Sequence, residues 1–322
     1  MLHIFWIHSH ITFLVAKEII ANIGNNQEVI IFLSRRYELP DIFDLKENVE
    51  IISSPWFRDK SNANILIKSD ILKTRSNVKL CVNFFNEYIN NRAFILYAPT
   101  SWEYAVALMM KHEKCIGYYY IEEGVLAYLK NGNKERASKF REFLIKYIYN
   151  LPYLGMYGVL NNFRGSFAVS KKAFLWHTKE RNIVDIKNRS STYYQEYLQY
   201  KTILIFDHLP FSIDELNEYL VMLKEVLNCN NINKFLFKFH PATKGSLNEQ
   251  IVRTFMKDFN AKETSPHFIV ELFIRQNPMS IYFINTKSSI LLYTDNTESK
   301  CFHIKRSEKN SGLEIVNLYN EI

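Results

Sequence analysis

Between its ends, the segment Glu28-Val-Ile-Ile-Phe-Leu-Ser34 has no polar position. A strand with one wet face alternates apolar and polar residues, whereas a continuous apolar run belongs to a strand covered on both faces. Covered strands occur where helices cross over a parallel sheet, and the first half of the chain has that order of patterns. It predicts strands at Leu2–Ile7, Glu28–Ser34, Val49–Ser53, Phe94–Tyr97, Gly117–Ile121 and Phe167–Ser170. Helical patterns fall at Ile11–Ile23, Ile71–Ile89 and Ser101–His112, the last with Ser101 as its expected N-cap.

A polar stretch from about Thr178 to Tyr200, with Asn188-Arg-Ser-Ser-Thr192, interrupts the alternation and reads as a linker. The alternation then restarts. Strands are expected at Thr202–Phe206, Phe235–Phe239, Ser280–Ile284 and Cys301–Ile304, and helices at Ser212–Leu227, Ser246–Phe259 and from Ser288 to Tyr293. Ser212 with Glu215 forms a capping box. The chain's 322 residues suffice for two domains of ordinary size. The expected boundaries are residues 1–180 and 201–322, with 181–200 between them. Two such halves joined by one linker would leave a cleft for a small molecule.

Composition removes several classes. There are only 9 glycines, and neither G-x-G-x-x-G nor G-x-x-x-x-G-K occurs, so nothing points to a dinucleotide fold of the usual kind or to a P-loop. Cys81, Cys115, Cys229 and Cys301 are too far apart for a metal-ligand motif or a disulfide framework, which fits a reducing cytoplasm. A formal charge of +7 suits an acidic substrate, an anionic membrane surface or merely a basic solvated surface. Nucleic acid is not expected as a partner, because the lysines are spread and no aromatic-basic motif accompanies them.

No apolar run approaches the roughly 20 residues of a membrane span. Met1-Leu-His-Ile-Phe-Trp-Ile-His8 lacks a basic flank and a small-residue cleavage site, so it reads as a first strand, not a signal peptide. The expected location is therefore cytoplasmic, with any attachment to the inner membrane peripheral. Asn133–Asn150 is a basic amphipathic pattern, with Phe140, Phe143, Leu144, Tyr147 and Ile148 at helical spacing. Two readings stay open for it: an ordinary surface helix, or an interfacial helix touching anionic lipid or glycan.

Ionisable residues cluster where strands end. In open α/β sheets ligands bind beyond the carboxyl ends of the strands. Glu122-Glu123-Gly124 closes the strand Gly117–Ile121, and one of these adjacent carboxylates is placed to accept a proton. Gly124 permits a tight turn or a close ligand approach. Lys238-Phe239-His240-Pro241 closes Phe235–Phe239, and the alternation puts Lys238 and His240 on one strand face, a paired cation suited to phosphate. Asn285-Thr286-Lys287-Ser288-Ser289 follows Ser280–Ile284 with hydroxyls and free N–H groups at a helix start, either an anion site or a plain N-cap. Glu271 sits in the apolar stretch His267–Leu272, free on a helix face or bonded to ribose. Asp207 closes Thr202–Phe206 ahead of Pro210, as a loop cap or a ligand contact.

Glu122-Glu123-Gly124, His240-Pro241 and Ser288-Ser289, with Glu271 between the last two, resemble the motifs of the bacterial sialyltransferases of GT-B architecture. Those include lipooligosaccharide sialyltransferases, capsule polysialyltransferases and marine multifunctional enzymes. The order and spacing are compatible, with 31 residues from His240 to Glu271 and 17 from Glu271 to Ser288. The likeness is confined to these short motifs, and enzymes transferring pseudaminic or legionaminic acid could carry the same set.

The resemblance implies two Rossmann-like domains with parallel sheets facing a central cleft: an acceptor-side domain carrying the base and a C-terminal domain binding the CMP-sugar. It implies Glu122 or Glu123 as general base and His240 at the CMP phosphate, with Ser288 and Ser289 holding the same phosphate. Glu271 would recognise the nucleotide, with Lys238, Pro241, Thr286, Gly124 and Asp207 completing the donor site. The expected activity is inverting transfer of a nonulosonic acid from its CMP-activated form to a hydroxyl of a capsule or lipooligosaccharide glycan, with no cofactor and no metal. A GT-B transferase using another nucleotide sugar and a non-catalytic glycan- or nucleotide-binding protein are the alternatives. A homodimer is compatible with the sequence; acceptor and linkage are not encoded in these motifs.

Overall fold

The computed structural model describes residues 1–34, 37–39, 46–53, 71–129, 142–148, 154–186, 194–206, 212–239, 245–265, 268–284, 289–294, 298–307 and 312–318. The chain divides into two compact units, Met1–Lys187 and Asn188–Ile322, the division falling inside the stretch 181–200.

The first unit is built on seven strands: β1 (Leu2–Ile7), β2 (Glu28–Leu33), β3 (Val49–Ser53), β4 (Phe94–Ala98), β5 (Cys115–Ile121), β6 (Phe163–Ala168) and β7 (Glu180–Ile183). They lie in the order β3-β2-β1-β4-β5-β6-β7, and every neighbouring pair is parallel. Helices α1 (His10–Asn22), α2 (Ile71–Ile89) and α3 (Tyr104–Lys111) make the crossovers. All six residues of β1 are buried, as a strand covered on both faces requires. Leu2, Ile4 and Trp6 enter one core with Phe32, Phe94, Tyr118 and Tyr120. Phe5, on the opposite face, stacks on Tyr97 at 4.3 Å, and Tyr97 stacks on Tyr119 at 5.4 Å. Phe32 and Phe94 are fully excluded from water, which favours folding by about 2–3 kcal/mol each.

The second unit repeats the plan with β8 (Thr202–Phe206), β9 (Lys234–Phe239), β10 (Asn260–Glu263), β11 (Ser280–Ile284), β12 (Lys300–Arg306) and β13 (Leu313–Asn317). Their order is β10-β9-β8-β11-β12-β13, parallel except for the antiparallel last pair. Helices α4 (Ile213–Cys229), α5 (Leu247–Met256) and α6 (Val270–Gln276) belong to this unit. Ser212 accepts the N–H of Glu215 while Glu215 answers the N–H of Ser212, completing the capping box that starts α4. Leu216, Leu220, Leu223 and Leu227 of α4 pack with Leu204, Phe206 and Phe235 of the sheet. In each unit the strand order reverses once, between β1 and β4 and between β8 and β11. Open sheets of this kind present ligand sites beyond the carboxyl ends at that reversal.

Several local expectations change. Ser101 does not cap α3, whose N-cap is Glu103 with no side-chain capping bond. Instead the Ser101 hydroxyl donates to the carbonyls of Gly155 and Met156 and accepts the N–H of Gly158 at 2.8 Å, tying that segment to the end of β4. The strand expected at Phe167–Ser170 begins earlier, at Phe163, and β7 extends the sheet past residue 180. Most of the helix expected at Asn133–Asn150 lies outside the described residues. Its described end, Leu144–Ile148, is π-helical; Ile145 is buried while Phe143 and Tyr147 are exposed. Ser289–Tyr293 is a short 3-10 turn and not an α-helix.

Candidate functional site

Three adjacent strands of the first unit, β1, β4 and β5, each deliver an ionisable residue just beyond their carboxyl ends. His8 follows β1, Glu103 lies beyond β4, and Glu122 and Glu123 follow β5. Glu123 Oε2 is 3.0 Å from His8 Nε2, and their side chains are only 4% and 5% exposed. On the other side of the imidazole, Nδ1 faces Glu103 Oε1 at 3.8 Å, an ion-pair distance too long for a hydrogen bond. Glu103 is itself held: Trp6 Nε1–H donates to its Oε2 at 2.8 Å. A carboxylate, an imidazole and a second carboxylate thus form a buried row anchored on a core tryptophan.

The adjacent glutamates have different surroundings. Glu122 is completely buried. Its Oε1 accepts the Tyr128 hydroxyl at 2.7 Å and its Oε2 accepts the N–H of Val169 at 2.7 Å. Both oxygens accept donors from the segments after β5 and β6, so Glu122 fixes those segments together. Glu123 keeps one oxygen without a donor: among the described residues Oε1 is buried and has no hydrogen-bond partner. The same holds for the Tyr157 hydroxyl, whose acidity is suppressed by burial and then by the charge of Glu123. Buried polar atoms without partners are rare, and a ligand's hydroxyl would supply what Glu123 Oε1 lacks.

Gly124 is the hinge of this arrangement. Its φ of 116° and ψ of −142° lie in a region open essentially to glycine. That turn ends the acidic loop and starts the 3-10 turn Val125–Tyr128, which carries the hydroxyl that locks Glu122.

In the second unit, Lys238 is the penultimate residue of β9, and its Nζ donates to the Phe268 carbonyl at 2.7 Å. Glu271 occupies the first turn of α6 and is half-buried, not free on an exposed face. Burial lowers Lys238 to about 8, with the charge of Glu271 opposing the shift. Burial raises Glu271, opposed by its own backbone N–H and by Lys238. Asp207, His240, Pro241, Thr286 and Ser288 lie outside the described residues. Ser289 opens the 3-10 turn, and only its backbone is described.

Among the described residues no group of three His, Cys, Asp or Glu side chains is arranged to hold a metal ion. Among them, too, no helix is long and apolar enough to cross a membrane. His8 and Glu103 are site residues that the sequence reading missed. The available signal was positional, since both fall just past strands that the alternation itself located.

No protein-family model matches the chain. No curated protein matches it either. Solved structures do. One is an α/β-galactoside α-2,3-sialyltransferase from the luminous marine bacterium Photobacterium phosphoreum, 14% identical, with a TM-score of 0.56 over 96% of this chain and 92% of that one. Another is the UDP-GlcNAc 2-epimerase of Methanocaldococcus jannaschii in complex with UDP-GlcNAc and UDP, 12% identical, with a TM-score of 0.52 over 94% and 84% of the two chains. At such identities the likeness establishes architecture: the chain has the GT-B fold of two parallel-sheet α/β units.

Proposed function

We propose that this protein is an inverting glycosyltransferase that moves sialic acid or a related nonulosonic acid from its CMP-activated donor to a hydroxyl of a cell-surface glycan. The observation that carries the reading is Glu123, a carboxylate shielded from water beyond the carboxyl end of β5, with Oε2 held by His8 and Oε1 left to accept a proton. The GT-B fold and the likeness to a sialyltransferase support it. In this reading Glu123 takes the proton of the acceptor hydroxyl as that oxygen attacks the anomeric carbon, worth about 10²–10⁴ in rate. Negative charge builds on the departing phosphate. His240, Thr286, Ser288 and Ser289 would stabilise it by donation, with Lys238 adding positive charge and Glu271 and Asp207 contacting the nucleotide. Side chains supply all of this stabilisation, so the reaction as drawn has no metal step.

A second reading, a GT-B enzyme using another nucleotide sugar, is favoured by the likeness to an epimerase whose structure holds UDP-GlcNAc and UDP. The experiment offers CMP-, UDP- and GDP-activated sugars with sialylated and unsialylated oligosaccharide acceptors, and follows product by mass spectrometry. Turnover confined to CMP-nonulosonates is expected. Turnover with a UDP- or GDP-sugar alone moves the assignment to the second reading. Nucleotide or glycan binding without any turnover, unaltered in His240→Ala and Glu123→Gln, makes it a binding protein.

A further inference from the structure

The row Glu103–His8–Glu123 carries an inference that deepens the proposed transfer reaction and rests on it. We propose that His8 is a positioning residue for the base: its Nε2–H fixes Glu123 Oε2, so that Oε1 alone is offered to the acceptor hydroxyl, while Glu103, tethered by Trp6, faces Nδ1 at ion-pair distance. Four observations support this. His8 Nε2 and Glu123 Oε2 stand 3.0 Å apart, within ion-pair reach. Both side chains are at least nine-tenths buried, so the contact is not a surface pairing that water would dissolve. Glu103, 1% exposed, stands at the second ring nitrogen and is tethered by the indole N–H of Trp6. The three strands concerned are neighbours in one sheet, which gives the row a rigid base.

The chemistry balances without any change at His8. The acceptor O–H bond breaks and its proton passes to Glu123 Oε1. The electron pair of that bond forms the new bond to the anomeric carbon, and the bond from that carbon to the phosphate oxygen leaves with its pair on CMP. His8 keeps its Nε2 proton throughout and Glu123 Oε2 goes on accepting it. A carboxylate free to rotate would offer either oxygen in many directions. Held at one oxygen, it presents the other in a single direction, which is what orientation contributes to rate. Glu122 has a donor on each oxygen, whereas Glu123 Oε1 has no hydrogen-bond partner among the described residues.

The test compares His8→Leu with His8→Gln in the full chain, using whichever nucleotide sugar supports turnover. Leucine cannot donate; the glutamine amide can donate to Glu123. For His8→Leu a fall in kcat of at least about tenfold is expected with the donor KM within about twofold of wild type, because orientation of the base acts on the chemical step. His8→Gln is expected to recover most of that loss. Equal losses in both variants, or a loss confined to KM, overturn the proposal. A second arm reads the His8 ring nitrogens by ¹⁵N NMR in wild type and Glu123→Gln. Nε2 should carry a proton at neutral pH, and its resonance should move when the carboxylate is replaced. An unprotonated or unmoved Nε2 overturns the proposal whatever the kinetics. Should wild type turn over no nucleotide sugar at all, the transfer reading has failed, and the NMR arm alone decides whether His8 holds Glu123.

Discussion

Replacing Glu122 by glutamine separates the two neighbouring glutamates. The change is isosteric, so it opens no cavity, but it turns one acceptor into a donor. Glu122 accepts from the Tyr128 hydroxyl and from the Val169 N–H, each at 2.7 Å. Turned with its oxygen to the Val169 N–H, the amide meets Tyr128 with its NH₂, and the Tyr128 hydroxyl, which also accepts, rotates to take that bond. Two bonds to a carboxylate become two weaker neutral ones, a cost of about 2 kcal/mol. For a unit the size of Met1–Lys187, that corresponds to a fall of about 4–8 °C in the unfolding midpoint. At temperatures well below the transition, kcat should stay within about fivefold of wild type, since Glu122 gives no oxygen to the reaction. Glu123→Gln should do the reverse, with kcat down about 10²–10⁴-fold and the midpoint little moved. Differential scanning calorimetry and steady-state kinetics on the two variants decide between the roles. A Glu122→Gln protein that unfolds like wild type yet has lost two orders of magnitude in kcat would refute the division of labour.

Two further perturbations follow from the same geometry. Gly124→Ala places a Cβ where φ is 116°, a strain of about 1–3 kcal/mol; the acidic loop should shift, and kcat should fall more than tenfold in a protein that still unfolds cooperatively. Lys238 is lowered to about 8, so its charge disappears as pH rises through that value, and the donor KM should climb between about pH 8 and 10 in wild type but not in Lys238→Met. The stability consequence has the opposite sign. The unfolded chain binds the Lys238 proton up to its ordinary, higher pKa. Between about pH 8 and that pKa the unfolded state therefore holds more protons, and folding gains stability with rising pH, which pH-dependent denaturation of wild type against Lys238→Met measures.

The central strands were legible because burial on both faces leaves an uninterrupted apolar word: Leu2–Ile7 and Thr202–Phe206 were located to the residue. Edge strands have no such signature. β7 reads Glu-Arg-Asn-Ile and β10 Asn-Ala-Lys-Glu, compositions fixed by solvent on their open side, and their strand character comes from pairing with β6 and β9. The acidic motif was legible, but its division of roles was not. Nothing in two consecutive glutamates says that one will meet Tyr128 and Val169 and the other His8. That choice is made by contacts whose partners lie as far apart in sequence as residues 8 and 123. Strand order brings them together, and strand order becomes readable only once the reversal between β1 and β4 is known.

Trp6 does two things at once, and this limits how the protein can change. Its ring fills the middle of the first unit's interior with no exposure to water, packing near Phe32 and Phe85, while its nitrogen steadies Glu103. A phenylalanine there would satisfy the oily neighbours yet abandon the carboxylate. Under the proposed transfer reaction, selection for a sturdier interior is therefore not independent of selection for turnover: the residue that a repacking experiment would vary first is tied to the far end of the row that holds the proposed base.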